Sequence, residues 1–83
     1  MEEEFIARVQ KNNRVQIPVL IRWKNKLKIG VIMKVRIFKS GDYKSHGFHA
    51  RLGKSGRITI PKIVVETGQV QPKDLIDVNI IFE

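Results

Sequence analysis

The sequence predicts a small all-β domain with two short helices, in which two similar halves close on each other as a single six-stranded barrel. An ungapped alignment at an offset of 43 residues relates the two halves. Apolar residues alternate with polar ones, and the same turn residues and the same proline recur in each half. Residues 1–83 are therefore predicted to form one domain, with repeats 5–38 and 48–83 joined by loop 39–47.

The alignment pairs identical residues along most of its length. It includes apolar, basic and proline positions, so it does not depend on one residue type. The identical pairs are Phe5/Phe48, Ala7/Ala50, Arg8/Arg51, Lys11/Lys54, Arg14/Arg57, Ile17/Ile60, Pro18/Pro61, Val35/Val78 and Ile37/Ile80.

Two strands open each half. Phe5, Ala7 and Val9 alternate with more polar neighbours, which is the period-two pattern of a half-buried strand. Asn12-Asn13 and Ser55-Gly56 follow the two first strands, and such pairs accept the positive φ of a tight turn. The second strand is predicted to point Val15 and Ile17, or Ile58 and Ile60, inward, with Arg14 or Arg57 outward.

A short helix and a third strand complete each half. Pro18 and Pro61 end the second strand and suit the first turn of a helix. Leu20, Ile21 and Leu27 have helical spacing, as do Ile63, Val64 and Val70, and Thr67-Gly68 is predicted to end the second helix. The third strands are predicted to bury Val31, Met33, Val35 and Ile37 in the first half and Ile76, Val78, Ile80 and Phe82 in the second.

Barrel closure follows from size. A half of about 35 residues is too small for a core of its own, and its outer strands would be open edges. Two halves related by a pseudo-twofold axis would cover each other's edges.

The charge indicates an anionic partner. The net charge is +8, and residues 5–38 hold nine Lys or Arg and no acid. A compact domain of this charge favours association with nucleic acid. Because repeat 48–83 has a net charge of only +1, the first repeat is predicted to supply most phosphate contacts.

The segments KNNRVQIP and KSGRITIP carry a family resemblance. Together with the basic first strands, they resemble the SpoVT/AbrB (AbrB-like, swapped-hairpin) domain of transcription regulators. A chain that holds both halves resembles an archaeal-type tandem version, related to the cradle-loop barrels. The resemblance implies a monomeric pseudo-dimer, open to further assembly. We expect RIFT-type connectivity, with the swapped-hairpin form as the alternative.

The resemblance also implies a DNA-binding regulator that acts on double-stranded DNA in the cytoplasm. The nucleic-acid-binding residues it implies are Arg8, Lys11, Arg14, Arg22, Lys24, Arg51, Lys54 and Arg57. Val65 stands where a counterpart of Arg22 would be, so the DNA footprint is not expected to be symmetric. Trp23 is expected in or beside the core rather than stacked on a base.

Other functions find less support in the sequence. The acids and serines form no general acid–base pair or nucleophile arrangement, so no enzymatic activity, cofactor or metal is predicted. His46 and His49 lack nearby acidic or thiol ligands, which favours simple exposure. No apolar run is long enough to cross a membrane. The alternatives are a small-molecule or nucleotide-binding barrel resembling riboflavin kinases, or a protein-interaction module; an antitoxin role is not expected.

Overall fold

The computed structural model describes residues 2–39 and 44–82. The fold is mostly β, as the sequence predicts, with six strands and two α-helices. The elements are β1 (Glu2–Arg8), β2 (Arg14–Gln16), α1 (Val19–Lys24), β3 (Ile32–Lys39), β4 (Ser45–Arg51), β5 (Arg57–Thr59), α2 (Lys62–Gly68) and β6 (Leu75–Ile81).

A short 3-10 turn precedes each of the two three-residue strands. The first turn (Lys11–Asn13) leads into β2, and the second turn (Lys54–Gly56) leads into β5. Asn12 has a φ of 67° and Ser55 a φ of 66°, and the residue that follows each of them also has a positive φ. The prediction of left-handed backbone at these four positions is confirmed. Asn and Gly adopt left-handed backbone at low energetic cost, which explains the presence of Asn13 and Gly56 in these turns.

The strands form two antiparallel sheets. One sheet has the order β1-β6-β3-β4, and the other is a ribbon of β2 and β5. Phe5 pairs with Val78 in the large sheet, and Phe48 pairs with Val35. The sequence predicts one closed barrel, but the described strands do not form one. Near the first turn, Gln10, which follows β1, forms an isolated bridge with Arg14 at the start of β2.

The hydrogen bonds around the turns recur at the offset of 43 residues. Two of them close a turn within its own half, and the other two join the residue after each short strand to the turn of the other half. The recurring bonds are Gln10 N to Arg14 O (2.8 Å) and Gly53 N to Arg57 O (2.9 Å), and Ile17 N to Gly56 O (2.9 Å) and Ile60 N to Asn13 O (2.8 Å).

The core lies between the large sheet and the ribbon. The inward residues of β3 and β6 pack against those of the ribbon in one cluster. Val15, Ile17, Ile58 and Ile60 are all buried, which confirms the inward face predicted for the short strands. Among the residues predicted to be buried on the third strands, Val31 is an exception. It precedes β3 and is 36% exposed.

The two helices bury little. No residue of α1 is fully buried, and only Val64 of α2 is. Trp23 is 73% exposed, so its predicted place in or beside the core is wrong. Leu20 and Ile63 are exposed as well. The cause is helix length: α1 has six residues, and the left-handed Lys26 turns the chain just after it. So short a helix packs only one narrow stripe against the core.

The loop between the halves is shorter than residues 39–47. β3 continues to Lys39 and β4 begins at Ser45, and Phe38 pairs with Ser45 across this connection. Positions 40–43 of the predicted loop lie outside the described residues. In the described parts of the chain, no helix is both long and apolar enough to cross a bilayer.

Candidate nucleic-acid interface

The ribbon presents a polar face to solvent. Val15 and Ile58 pair with each other and point into the core. Because side chains alternate along a strand, the residues on either side of this pair point outward. Arg14 lies opposite Thr59, and Gln16 lies opposite Arg57. The outward face of the ribbon therefore carries two arginines, one from each half of the chain.

The two arginines share a surface depression with the second turn. The depression has a volume of about 330 Å³. Arg14 comes from β2, Arg57 comes from β5, and Lys54 comes from the turn. Gly53, Ser55 and Thr59 complete the described lining, which contains no carboxylate. Arg14 and Lys54 form no ion pair within residues 2–39 and 44–82. These cations are therefore available to an anionic partner.

Gln16 fixes part of this face. Its side-chain amide donates to the carbonyl of Ser55, and more weakly to that of Gly56 at 3.4 Å. Its oxygen, Oε1, accepts a hydrogen bond of 3.2 Å from Arg57 Nε. The amide thus connects the second turn to the arginine of β5. Such a contact restricts the Arg57 side chain before any partner arrives, which lowers the entropy lost on binding.

Arg22 contacts the ribbon and the second turn. It is half-buried, and its Nε donates to the carbonyl of Ile17 at 3.1 Å. Its guanidinium lies directly against Gly56, where a β-carbon would collide with it. The sequence-based interpretation treats Arg22 as a DNA contact. In the structure its head group lies against the second turn, because α1 places it over a glycine that has room for it.

The other predicted cations lie apart from the depression. Arg8 Nη1 donates to the carbonyl of Lys73 at 2.8 Å. Arg8 and Arg51 are exposed residues at the ends of edge strands and belong to the outward face of the large sheet. Lys24 pairs with Glu3 at 3.3 Å. Lys11 is exposed on the first turn, which is bonded to the end of β5. Of the eight predicted residues, the structure brings Arg14, Lys54 and Arg57 together.

Two residues of this face were missed by sequence reasoning. Thr59 lies opposite Arg14, and Gln16 lies opposite Arg57. The two residues correspond to each other at the offset of 43 residues. Alternation already assigns them to the outward face, so the pattern was sufficient to find them. Neither side chain is charged, so a pattern of basic residues does not include them.

The two histidines lie on β4 and differ in exposure. His49 is exposed and His46 is half-buried beside Gly68. Across the described ranges 2–39 and 44–82, no three His, Asp or Glu side chains are grouped so that they could hold a metal ion.

Comparison with known proteins identifies a similar structure. No protein-family model matches the sequence, and no curated protein matches it. The solution structure of PHS018 from Pyrococcus horikoshii is similar to this chain, with a TM-score of 0.85 and 25% sequence identity. The match covers 94% of this chain and 87% of that chain. That name indicates no activity, so the likeness supports the antiparallel, mostly-β fold and leaves the site to be interpreted from its own chemistry.

Proposed function

We propose that the protein binds double-stranded DNA through the outward face of the β2–β5 ribbon. The observation that carries this proposal is the placing of Arg14, Lys54 and Arg57 around one depression that has no carboxylate in its described lining. The major groove of B-form DNA is wide enough for a two-stranded antiparallel ribbon. A ribbon of three residues per strand is short enough to enter the groove while both turns remain beside the phosphates.

The side chains of the ribbon suit different parts of the duplex. Arginine forms paired hydrogen bonds with guanine edges or with phosphate, and glutamine can do the same with adenine. In this proposal Arg14, Gln16 and Arg57 reach base edges or phosphates in the groove. Lys11 and Lys54 belong to the turns that flank the ribbon, and we assign them to the phosphate backbone.

The finer architecture that we propose is a duplicated, barrel-like unit. The turn hydrogen bonds and the Phe5–Val78 and Phe48–Val35 pairings recur at the offset of 43 residues, which supports two equivalent halves. Together with the motif resemblance, this supports an AbrB-like regulator that is a pseudo-dimer in one chain and acts in the cytoplasm. A pseudo-twofold ribbon also suits the local symmetry of a duplex. In this proposal both halves contribute arginines to the ribbon, while the first half carries most of the net charge.

The salt dependence of binding tests this function. If Lys11, Arg14, Lys54 and Arg57 each neutralise one phosphate, log K should fall against log salt concentration with a slope of about −3.6. Fluorescence anisotropy of a labelled random duplex, measured at several salt concentrations, gives this slope. A single strand of the same composition is the control, and we expect it to bind more weakly because it lacks the groove. Absent or salt-independent duplex binding would refute the proposal.

A further inference from the structure

A second concave site lies where the end of α1 meets the start of β3 and the end of β6. This cleft has a volume of about 710 Å³, which is within the range of small-molecule sites. Its apolar lining comes from β3, β6 and the segments beside them. It includes Leu27, Val31, Ile32, Met33, Ile81 and Phe82.

The charged side chains among the described lining residues of the cleft are lysines. Lys24, Lys26, Lys34 and His49 are among the lining residues, and none of the described lining residues is an acid. Glu3 lies close by and pairs with Lys24 at 3.3 Å, so that lysine is partly neutralised. Lys26 and Lys34 form no ion pair within the described residues. An apolar surface edged by cations is complementary to a molecule with an apolar body and a negative group.

The corresponding place in the second half has a different lining. A depression of about 540 Å³ there includes Ile6, Phe38 and Asp77, the counterparts of His49, Ile81 and Lys34. At the offset of 43 residues, Lys39 corresponds to Phe82, Gln69 to Lys26 and Asp74 to Val31. Lys39 Nζ donates to the carbonyl of Gln69 at 2.8 Å and pairs with Asp74 at 3.5 Å. This lysine therefore ties together the segments whose counterparts border the cleft.

The charge also differs between the two places. The acidic Asp77 stands where the first half has Lys34, and the apolar Ile6 stands where the cleft has His49. The positive apolar cleft is thus a property of one half alone. Duplication of the fold does not explain it.

We propose that this cleft binds a small organic anion with a flat apolar body, such as an aromatic ring that bears a phosphate or carboxylate. The ring lies on Ile32 and Ile81, and the anionic group is held by Lys26 and Lys34. His49 pairs with Lys34 in the sheet and borders the same side. This site is separate from the ribbon and does not depend on DNA binding.

Proton–nitrogen correlation spectra of the full chain, titrated with naphthyl phosphate, test the site. We expect concentration-dependent shifts at the amides of Ile32, Lys34 and Ile81, and none at Arg14 or Arg57. Naphthol lacks the anion and inorganic phosphate lacks the ring, so each alone should bind about tenfold more weakly or not at all. Equal shifts with inorganic phosphate, or shifts confined to the ribbon, would overturn the proposal.

A pair of matched variants adds a second test. Lys34→Gln should weaken naphthyl phosphate binding about three- to tenfold, because one charge-assisted contact is lost. Lys62→Gln is the control, since Lys62 is an exposed lysine of α2 outside the cleft lining. Equal weakening by both variants would mean that only net charge matters, and would overturn the site. Binding of a single-stranded oligonucleotide in the cleft without naphthyl phosphate binding would also overturn it. We expect Lys34→Gln to bind DNA at the wild-type level, which would show that this site acts independently of the ribbon.

Discussion

With Arg14→Glu and Arg57→Glu combined, the protein is expected to bind duplex DNA about a thousandfold more weakly at moderate salt. The reason is that both arginines line the ribbon depression, so the change removes two contacts and places two carboxylates against phosphates. A single arginine contact to DNA contributes about 1–3 kcal/mol, and two such losses correspond to about three orders of magnitude in affinity. Anisotropy titrations against the same duplex give the ratio of dissociation constants.

The control is a second pair of charge reversals with the same net charge. Lys28→Glu and Lys34→Glu also lower the charge from +8 to +4, and neither residue lines the ribbon depression. Lys34 is an exposed residue of the large sheet, on the face turned away from the core. We expect this control to lose about tenfold in affinity or less, through long-range charge alone. Similar losses in both variants would show that the ribbon has no special part in binding.

The second large effect concerns the support of the ribbon. Ile58→Ala is expected to lower the free energy of unfolding by about 3 kcal/mol, through lost apolar burial and the cavity left behind. Ile58 is 1% exposed and pairs with Val15, which is fully buried, at the centre of the ribbon. Because the ribbon has only three residue pairs, these two side chains are its main attachment to the core. Urea denaturation followed by circular dichroism measures the change.

Ile63→Ala is the matched control for this experiment. Ile63 carries the same side chain but lies on α2 with 73% of its surface exposed. Its truncation should change the free energy of unfolding by about 0.5 kcal/mol or less. A comparable loss in both variants would contradict the assignment of Ile58 to the core.

Local patterns were sufficient to predict the strands and the turns. Alternation identified the inward face of the short strands, since Val15 and Ile17 must be buried for the halves to have any core. The left-handed turns followed from Asn12-Asn13 and Ser55-Gly56, whose residue types favour this backbone. Both features depend on residues close together in sequence.

Features that depend on distant contacts were not predictable in the same way. The position of Trp23 one turn after Leu20 predicts a place in or beside the core, but a six-residue helix has no second apolar stripe with which to bury it. Barrel closure was inferred from the repeat, whereas the short strands pair only with each other. Whether the strands close into a barrel depends on hydrogen bonds between strands far apart in sequence, and composition does not predict these bonds.

The candidate site was predictable only in part, because it also depends on contacts between residues distant in sequence. The charge count pointed to the first half, but Arg57 and Lys54 belong to the second and reach the site only through the antiparallel pairing of β2 with β5. The motif position of Arg22 predicts a DNA contact, and its side chain also bonds the Ile17 carbonyl and packs against Gly56. A basic residue in a motif can thus also support the fold, and this contribution is visible only in the three-dimensional contacts.

The central claim, that the ribbon face binds duplex DNA, is tested most directly by proton–nitrogen correlation spectra recorded during addition of a short duplex. We expect the largest shifts at Arg14, Gln16, Arg57 and Thr59, with smaller ones at the two turns. Shifts confined to the outward face of the large sheet or to α1, with the ribbon unchanged, would contradict the claim.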